Sequence, residues 1–244
     1  MRKIIKLRMG VCPCCKKRTI FIAFDYLLRE YYKCTRCWSI TRQRAFMTVL
    51  ESRCKEWKNL MIHESSPCGP TFVRMKKMCP NYSYSFYYPD KVLGQVIDES
   101  GKVTNQDLQQ LTFPDNTFDL FVTQDVFEHI PEPEKALKEI YRCLKPGGRH
   151  IFTVPTYPFL KSRPRIRMEG GKIVPVMEVQ YHGNPISEDG SLVTYDWGGD
   201  IGYVIDSLTG FKTEIIEFYR SRENNRNGLE ADGLQVFIST KSEK

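Results

Sequence analysis

Phe118-Asp119-Leu120-Phe121-Val122-Thr123 and His150-Ile151-Phe152-Thr153-Val154, with the segment between them, decide the fold of this 244-residue chain. Both runs are short, apolar and rich in β-branched and aromatic residues, as buried strands are. Between them Leu137, Ile140, Tyr141 and Leu144 recur at helical spacing and share one face. Pro131 and Pro133 stand at that helix's start with Glu132 and Glu134 near its positive pole, and Lys145-Pro146-Gly147-Gly148 reads as its stop. Strand, helix and strand within about 37 residues make a right-handed parallel crossover.

The alternation continues on both sides. Asn59-Leu60-Met61-Ile62-His63-Glu64 reads as a buried strand ending in an acid. The turn-rich Ser65-Ser66-Pro67-Cys68-Gly69-Pro70 follows, then a helix through Lys77 and a strand over 82–88. Toward the other end, a helix over 201–208 stops at Gly210-Phe211. Strands over 213–219 and 234–240 come next, joined by the polar stretch 221–233 as an antiparallel edge pair. The body is therefore an α/β fold on an open, mostly parallel sheet, with ligands expected beyond the C-terminal strand ends.

The chain before residue 54 has a different character. Five of the nine cysteines fall within residues 12–37, and an odd total argues against complete disulfide pairing. Cys12-Pro13-Cys14-Cys15 and Cys34-Thr35-Arg36-Cys37 place two C-x-x-C pairs 18 residues apart. A two-residue gap lets one turn present both sulfurs to an ion, and a second turn completes the tetrahedron. Cys12, Cys15, Cys34 and Cys37 are thus the expected zinc ligands, with Cys14 a second possible partner for Cys12. Four thiolates leave no open position, so the site is structural; an iron–sulfur cluster is the alternative occupant. Ile20-Phe21-Ile22-Ala23-Phe24 and Tyr31-Tyr32-Lys33 read as strands of a zinc ribbon, and Arg42, Arg44 and the apolar 45–50 as a linking helix. The expected organisation is a zinc-ribbon module with its linker helix over 1–53 and a second domain over 54–244.

Net charge is +7, but residues 1–53 carry 13 Lys/Arg against 3 Asp/Glu, while the remainder carries 23 against 26. A basic module of this kind suits nucleic acid, another anionic polymer or an acidic partner. No stretch reaches the roughly 20 apolar residues of a membrane span, and the basic start lacks a secretory apolar run, so the expected location is cytoplasmic. No G-x-G-x-x-G follows a strand, which argues against a nicotinamide oxidoreductase.

Thr112-Phe113-Pro114-Asp115-Asn116-Thr117-Phe118-Asp119-Leu120, Asp125-Val126-Phe127-Glu128-His129 and Leu144-Lys145-Pro146-Gly147-Gly148 resemble, in order and spacing, the body of class I S-adenosylmethionine-dependent methyltransferases of the type 11 group. The resemblance covers residues 57–240 and is most specific over 104–155. It implies a Rossmann-like, mostly parallel seven-stranded sheet with an antiparallel C-terminal edge pair, and S-adenosyl-L-methionine as cofactor beside the Zn²⁺ of the ribbon. Glu64, Ser65, Ser66 and Gly69 match the acid and glycine-rich turn after the first strand, with one glycine where the usual pattern has three. Asp107 and Leu108 match the adenine side, and Gln124 and Asp125 lie where the methionine part passes. Asp90 stands late for the acid that grips the ribose.

The resemblance further implies an acceptor pocket in the insertion after the fifth strand, around Tyr181-His182-Gly183-Asn184-Pro185 with Tyr195, Asp196 and Trp197. His182 and His129 are the candidate catalytic residues, since a hydroxyl acceptor needs a base near neutral pH. The expected acceptor is a hydroxyl of a sugar or natural-product-like small molecule, a glycan included. Two alternatives stand beside it: an RNA methyltransferase that grips substrate with its basic ribbon, and a non-catalytic scaffold on the same fold.

Overall fold

In the computed structural model, residues 3–99, 101, 103–184 and 187–243 are described, so Pro185 of the expected acceptor region lies outside them. Strand β1 (Lys6–Val11) pairs antiparallel with β2 (Arg18–Ala23), and β2 with β3 (Lys33–Cys34). A one-turn helix, α1 (Leu28–Tyr31), takes the place of strand at Tyr31, and only Lys33 of the expected Tyr31-Tyr32-Lys33 strand joins the sheet. The linking helix α2 (Thr41–Arg53) opens with the Ile40 N–H donating to Gln43 Oε1 at 3.2 Å, which satisfies one N-terminal donor.

The chain divides into two units that are discontinuous in sequence. The first comprises Met1–Leu60, Cys68–Tyr82 and Ile215–Phe237; the second comprises Met61–Pro67, Ser83–Glu214 and Ile238–Lys244. The first unit is held by an unusual core residue. Arg44 is fully buried, and its guanidinium donates to the carbonyls of Tyr32 at 2.8 Å and Gly228 at 2.7 Å, to that of Ser39, and to Thr41 Oγ1 at 3.1 Å. It also lies over the Phe21 ring at 4.6 Å. One side chain thereby ties the segment around Tyr32 and Ser39, α2 and the 228 turn together. Gly228 has φ +66°, and a Cβ there would stand 2.9 Å from the Phe21 ring, so this close approach requires glycine. Lys6 and Arg8 of β1 pair with buried Glu230.

The remaining elements run in order as β4 (Ile62–Ser65), α3 (Gly69–Met78), β5 (Tyr82–Phe86), β6 (Val103–Asn105), β7 (Phe118–Gln124), α4 (Pro133–Cys143) and β8 (Leu144–Thr153). An insertion of short strands follows: β9 (Thr156–Tyr157), β10 (Arg163–Pro164), β11 (Ile166–Glu169), β12 (Lys172–Pro175), β13 (Tyr181–Asn184), β14 (Ser187–Leu192) and β15 (Tyr195–Gly198). The chain closes with α5 (Ile201–Thr209), β16 (Lys212–Glu217), α6 (Arg222–Arg226) and β17 (Gln235–Thr240). Seven strands form one sheet in the order β16-β17-β8-β7-β4-β5-β6. The pairs β4·β7, β5·β6 and β7·β8 are parallel. At the edge, the Phe218 N–H bonds to the Leu234 carbonyl and the Thr213 and Ser239 hydroxyls meet. Residue numbers therefore run in opposite senses along β16 and β17, and the edge pair is antiparallel. Strand order reverses between β4 and β7, the position at which an open α/β sheet leaves a crevice for a ligand.

Two boundaries differ from expectation. Helix α4 ends at Cys143, and Leu144 begins β8 instead of completing the helical face. Lys145-Pro146-Gly147-Gly148 belongs to the strand, where it is accommodated as a register shift between Phe118↔Leu144 and Leu120↔Arg149. Residues 57–59 form a 3₁₀ turn, so β4 starts only at Ile62. The polar connector 221–233 contains α6, capped by the Ser221 hydroxyl accepting from the Asn224 N–H at 3.0 Å.

Candidate functional site

Alternation along a fully buried β4 brings Glu64 to the end of that strand, and β7 brings Gln124 to the end of its neighbour. The two meet: Gln124 Nε2 donates to Glu64 Oε1 at 2.7 Å, with both residues buried. They stand at the strand-order reversal. Beyond Glu64, Ser65 is buried and Ser66 takes a left-handed φ of 52°, its N–H bonded to the Ser85 carbonyl at 2.8 Å. Asp125, directly after Gln124, is also left-handed at φ 53°, a conformation Asp tolerates better than most residues. It is held by the Thr153 hydroxyl at 2.8 Å and by its own N–H to the Thr153 carbonyl.

Asp107 ends the short loop after β6. Its Oδ1 accepts from the Gln109 N–H at 2.8 Å, closing an Asx-type turn that also presents buried Leu108. The same carboxylate adds to burial in raising the Tyr87 hydroxyl pKa above its usual value. Asp90 is exposed and lies past the end of β5. Gly69, in the first unit, opens α3 at φ +71°; a Cβ there would stand 2.4 Å from Gln43 Nε2, which gives this glycine a packing reason of its own.

Glu128 and His129 occupy the turn Phe127–His129 after β7. The His129 ring donates from Nδ1 to the Leu192 carbonyl at 2.8 Å, which leaves Nε2 with the lone pair. Burial lowers the pKa of this imidazole, opposed by that hydrogen bond, and the ring meets His182 edge-on at 5.2 Å. Glu128 is 2% exposed. The sequence pointed to the two histidines as candidate catalytic residues and not to Glu128, yet Glu128 Oε1 lies 3.7 Å from His129 Nε2 and 3.9 Å from His182 Nδ1. Trp197 is core, 1% exposed against Phe127 and Tyr195. Asp196 is engaged by Arg163 and Arg165.

In the first unit the sulfurs of Cys12, Cys15, Cys34 and Cys37 all lie within 4.8 Å of one another. The two turns that carry them have the same hydrogen bonds. The Lys16 N–H donates to the Cys12 carbonyl and the Trp38 N–H to the Cys34 carbonyl, each at 2.8 Å. Lys16 and Trp38 are both left-handed, at φ 60° and 63°. Cys12 and Cys37 are 3.6 Å apart, close to the ~3.8 Å edge of a tetrahedron with metal–sulfur bonds of about 2.3 Å. Cys12 and Cys37 meet the Ser39 hydroxyl, and Cys34 accepts from the Arg36 N–H at 3.4 Å. Cys14 instead points its thiol at the Gln43 carbonyl, 3.6 Å away, and burial pushes its pKa well up.

Residues 88–152 match the family model described as a methyltransferase domain. That domain spans β6, β7, α4 and most of β8, including Asp107, Gln124, Asp125, Glu128 and His129. A ubiquinone/menaquinone biosynthesis C-methyltransferase of Hydrogenovibrio crunogenus is 38% identical over 74 residues, covering 29% of this chain and 29% of that protein. A phosphoethanolamine N-methyltransferase of Caenorhabditis elegans is 39% identical over 57 residues, covering 23% and 13%. The chain thus spans less than a third of the length of these curated relatives. A solved S-adenosylmethionine-dependent methyltransferase from Mesorhizobium loti shares the fold, with TM-score 0.50 and 16% identity over 80% of this chain and 97% of that one. The architecture around the methyltransferase domain is accordingly the Rossmann-like methyltransferase fold with a mostly parallel central sheet. Among the described residues, no helix is long and apolar enough to cross a membrane.

Proposed function

We propose that this chain is an S-adenosylmethionine-dependent methyltransferase acting on a hydroxyl of a sugar or natural-product-like small molecule. The observation that carries the methyltransferase part of the reading is the buried Glu64–Gln124 pair at the strand-order reversal, in a chain that matches a methyltransferase domain, and the hydroxyl acceptor rests on the meeting of His129, His182 and Glu128. S-adenosylmethionine, when bound, supplies a methyl group on a sulfonium, an activated carbon open to in-line displacement. Glu64 and Gln124, with Ser65, Ser66 and Asp125, would hold its methionine part. Asp107, with lone pairs beyond those used in its turn, and Leu108 would hold the adenine. His129 and His182, with Glu128, are the residues that would promote loss of the acceptor hydroxyl's proton. The protein's main contribution is alignment of acceptor, methyl and sulfur.

The four cysteines fit a structural zinc ion. The donor set is all sulfur, the spacing approaches a tetrahedron, and N–H and O–H groups are directed at the sulfurs. Cys12, Cys15, Cys34 and Cys37 would hold the ion and complete the ribbon of residues 1–53, ahead of the catalytic domain over 54–244.

Calorimetric titration of the purified protein with S-adenosylhomocysteine and S-adenosylmethionine tests the reading. Micromolar binding of both is expected. No binding up to millimolar ligand would replace the enzyme by a non-catalytic scaffold on the same fold.

A further inference from the structure

The Glu128, His129 and His182 ligand atoms lie within 4.8 Å of one another, and their arrangement differs from that of a hydrogen-bonded acid–base relay. The distances from Glu128 Oε1 to His129 Nε2 and His182 Nδ1, 3.7 and 3.9 Å, exceed hydrogen-bond length. Ligands about 2.1 Å from one ion stand roughly 3.0 Å apart at right angles and 3.4 Å apart in a tetrahedron, so the three atoms would draw together by up to about an ångström around a shared cation, within reach of side-chain rotation at half-buried His182.

The surroundings hold the cluster in that form. His129 Nδ1 donates to the Leu192 carbonyl, the bond that a metal-ligating histidine makes with its other nitrogen to set tautomer and ring orientation. The Glu128 carbonyl accepts from the Thr194 N–H at 2.7 Å and from its hydroxyl at 3.1 Å, and the Ile130 carbonyl accepts from that hydroxyl at 2.8 Å. The segment 192–194 therefore clamps residues 128–130 of the turn. The β13·β14 register pairs Tyr181 with Leu192 and His182 with Ser191, and so delivers His182 beside the residue that anchors His129.

We infer that Glu128, His129 and His182 form a second metal site, which takes a divalent first-row cation and through it an oxygen-rich acceptor such as a vicinal diol. Two imidazoles and one carboxylate suit borderline cations such as Fe²⁺, Co²⁺ or Zn²⁺ best, with the harder Mn²⁺ bound more weakly, and three protein ligands leave positions open to acceptor oxygens. The role in transfer rests on the methyltransferase reading above. There the cation polarises the acceptor hydroxyl, whose proton passes to solvent. The oxygen's electron pair then forms the bond to the methyl carbon, and the carbon–sulfur pair stays on sulfur as S-adenosylhomocysteine leaves.

The test uses the full chain with its ribbon metal in place. Mn²⁺, which thiolate sites disfavour, is titrated by electron paramagnetic resonance, and S-adenosylhomocysteine is titrated by calorimetry on the same samples. One bound Mn²⁺ is expected, weakened at least about tenfold in His182→Ala, since removing even an outer partner of a ligand costs that much. Glu128→Gln should show the same loss, and half-buried His182 provides the variant less exposed to folding failure. No Mn²⁺ uptake, or uptake unchanged in both variants, would overturn the site even where S-adenosylhomocysteine still binds. Mn²⁺ uptake without S-adenosylhomocysteine binding would uphold the site and overturn its role in methyl transfer.

Discussion

Four sulfurs in the first unit, and one carboxylate oxygen with two imidazole nitrogens in the second, each gather within 4.8 Å. The cysteines ride on two turns with the same hydrogen bonds and the same left-handed residue, so each pair of ligands is placed by a handful of neighbouring residues. Glu128 and His129 leave the end of β7, whereas His182 arrives from a hairpin in the insertion, and only the packed fold brings them together. A local cluster in a small module depends on its metal to fold, while a cluster built by a completed sheet stands without one. Metal removal should therefore have opposite consequences for the two.

The largest expected effect tests that contrast directly. Cys34→Ser, or a strong chelator, should strip zinc from the protein and remove most of the ribbon's stability, on the order of 10 kcal/mol, as read by elemental analysis and thermal melting. Cys14→Ser should keep full zinc. Zinc retained in Cys34→Ser would break the four-sulfur set. His182→Ala, by comparison, should shift folding stability by less than about 1 kcal/mol.

Arg44 sharpens the comparison within the first unit, because it holds the segment around Tyr32 and Ser39 to α2 and the 228 turn without metal. Arg44→Ala should cost about 3 kcal/mol by leaving buried carbonyls unsatisfied, measured by denaturant unfolding. A cost below about 1 kcal/mol would mean that zinc alone organises this unit.

His63 supplies a pH test for the second unit. It is fully buried among Phe113, Phe118 and Phe121, bonded to the Ser83 and Ser85 hydroxyls, and burial depresses its pKa from 6.5 to about 3. The folded state therefore refuses a proton that the unfolded chain accepts. Stability from this group is complete above pH 6.5 and is lost as pH falls toward 3, by about 2 kcal/mol at pH 5. His63→Gln should flatten that slope in melts run from pH 7.5 to 4.5; an unchanged slope would place the acid sensitivity elsewhere.

The smallest effect expected on ligand binding concerns Asp107. Asp107→Ala should weaken S-adenosylhomocysteine binding about tenfold, on the order of 1 kcal/mol. Asp107→Asn keeps an oxygen for the Gln109 turn but loses the charge. If Asn restores full affinity, the residue serves the turn; if it does not, the carboxylate meets the adenine.

Much of the fold was legible because its signals are short-ranged. The apolar runs 118–123 and 150–154 became β7 and part of β8, and the 137–141 face became α4. Lys145-Pro146-Gly147-Gly148 misled the reading, since a helix stop and a bulged strand entry use the same residues. Pro and Gly disfavour helix in either case, and only the pairing with β7 chose between them.

From the sequence alone came the α/β alternation, the cysteine pairs and the acid ending the first central strand, all properties of residues within a few positions of one another. Tertiary structure alone decided the strand order that joins Glu64 to Gln124, the diversion of Cys14 to the Gln43 carbonyl, the burial of Arg44 and the approach of His182 to Glu128. Each of those depends on segments far apart in the chain, and no local propensity encodes their distance; it emerges when the core closes and the buried polar groups must find partners.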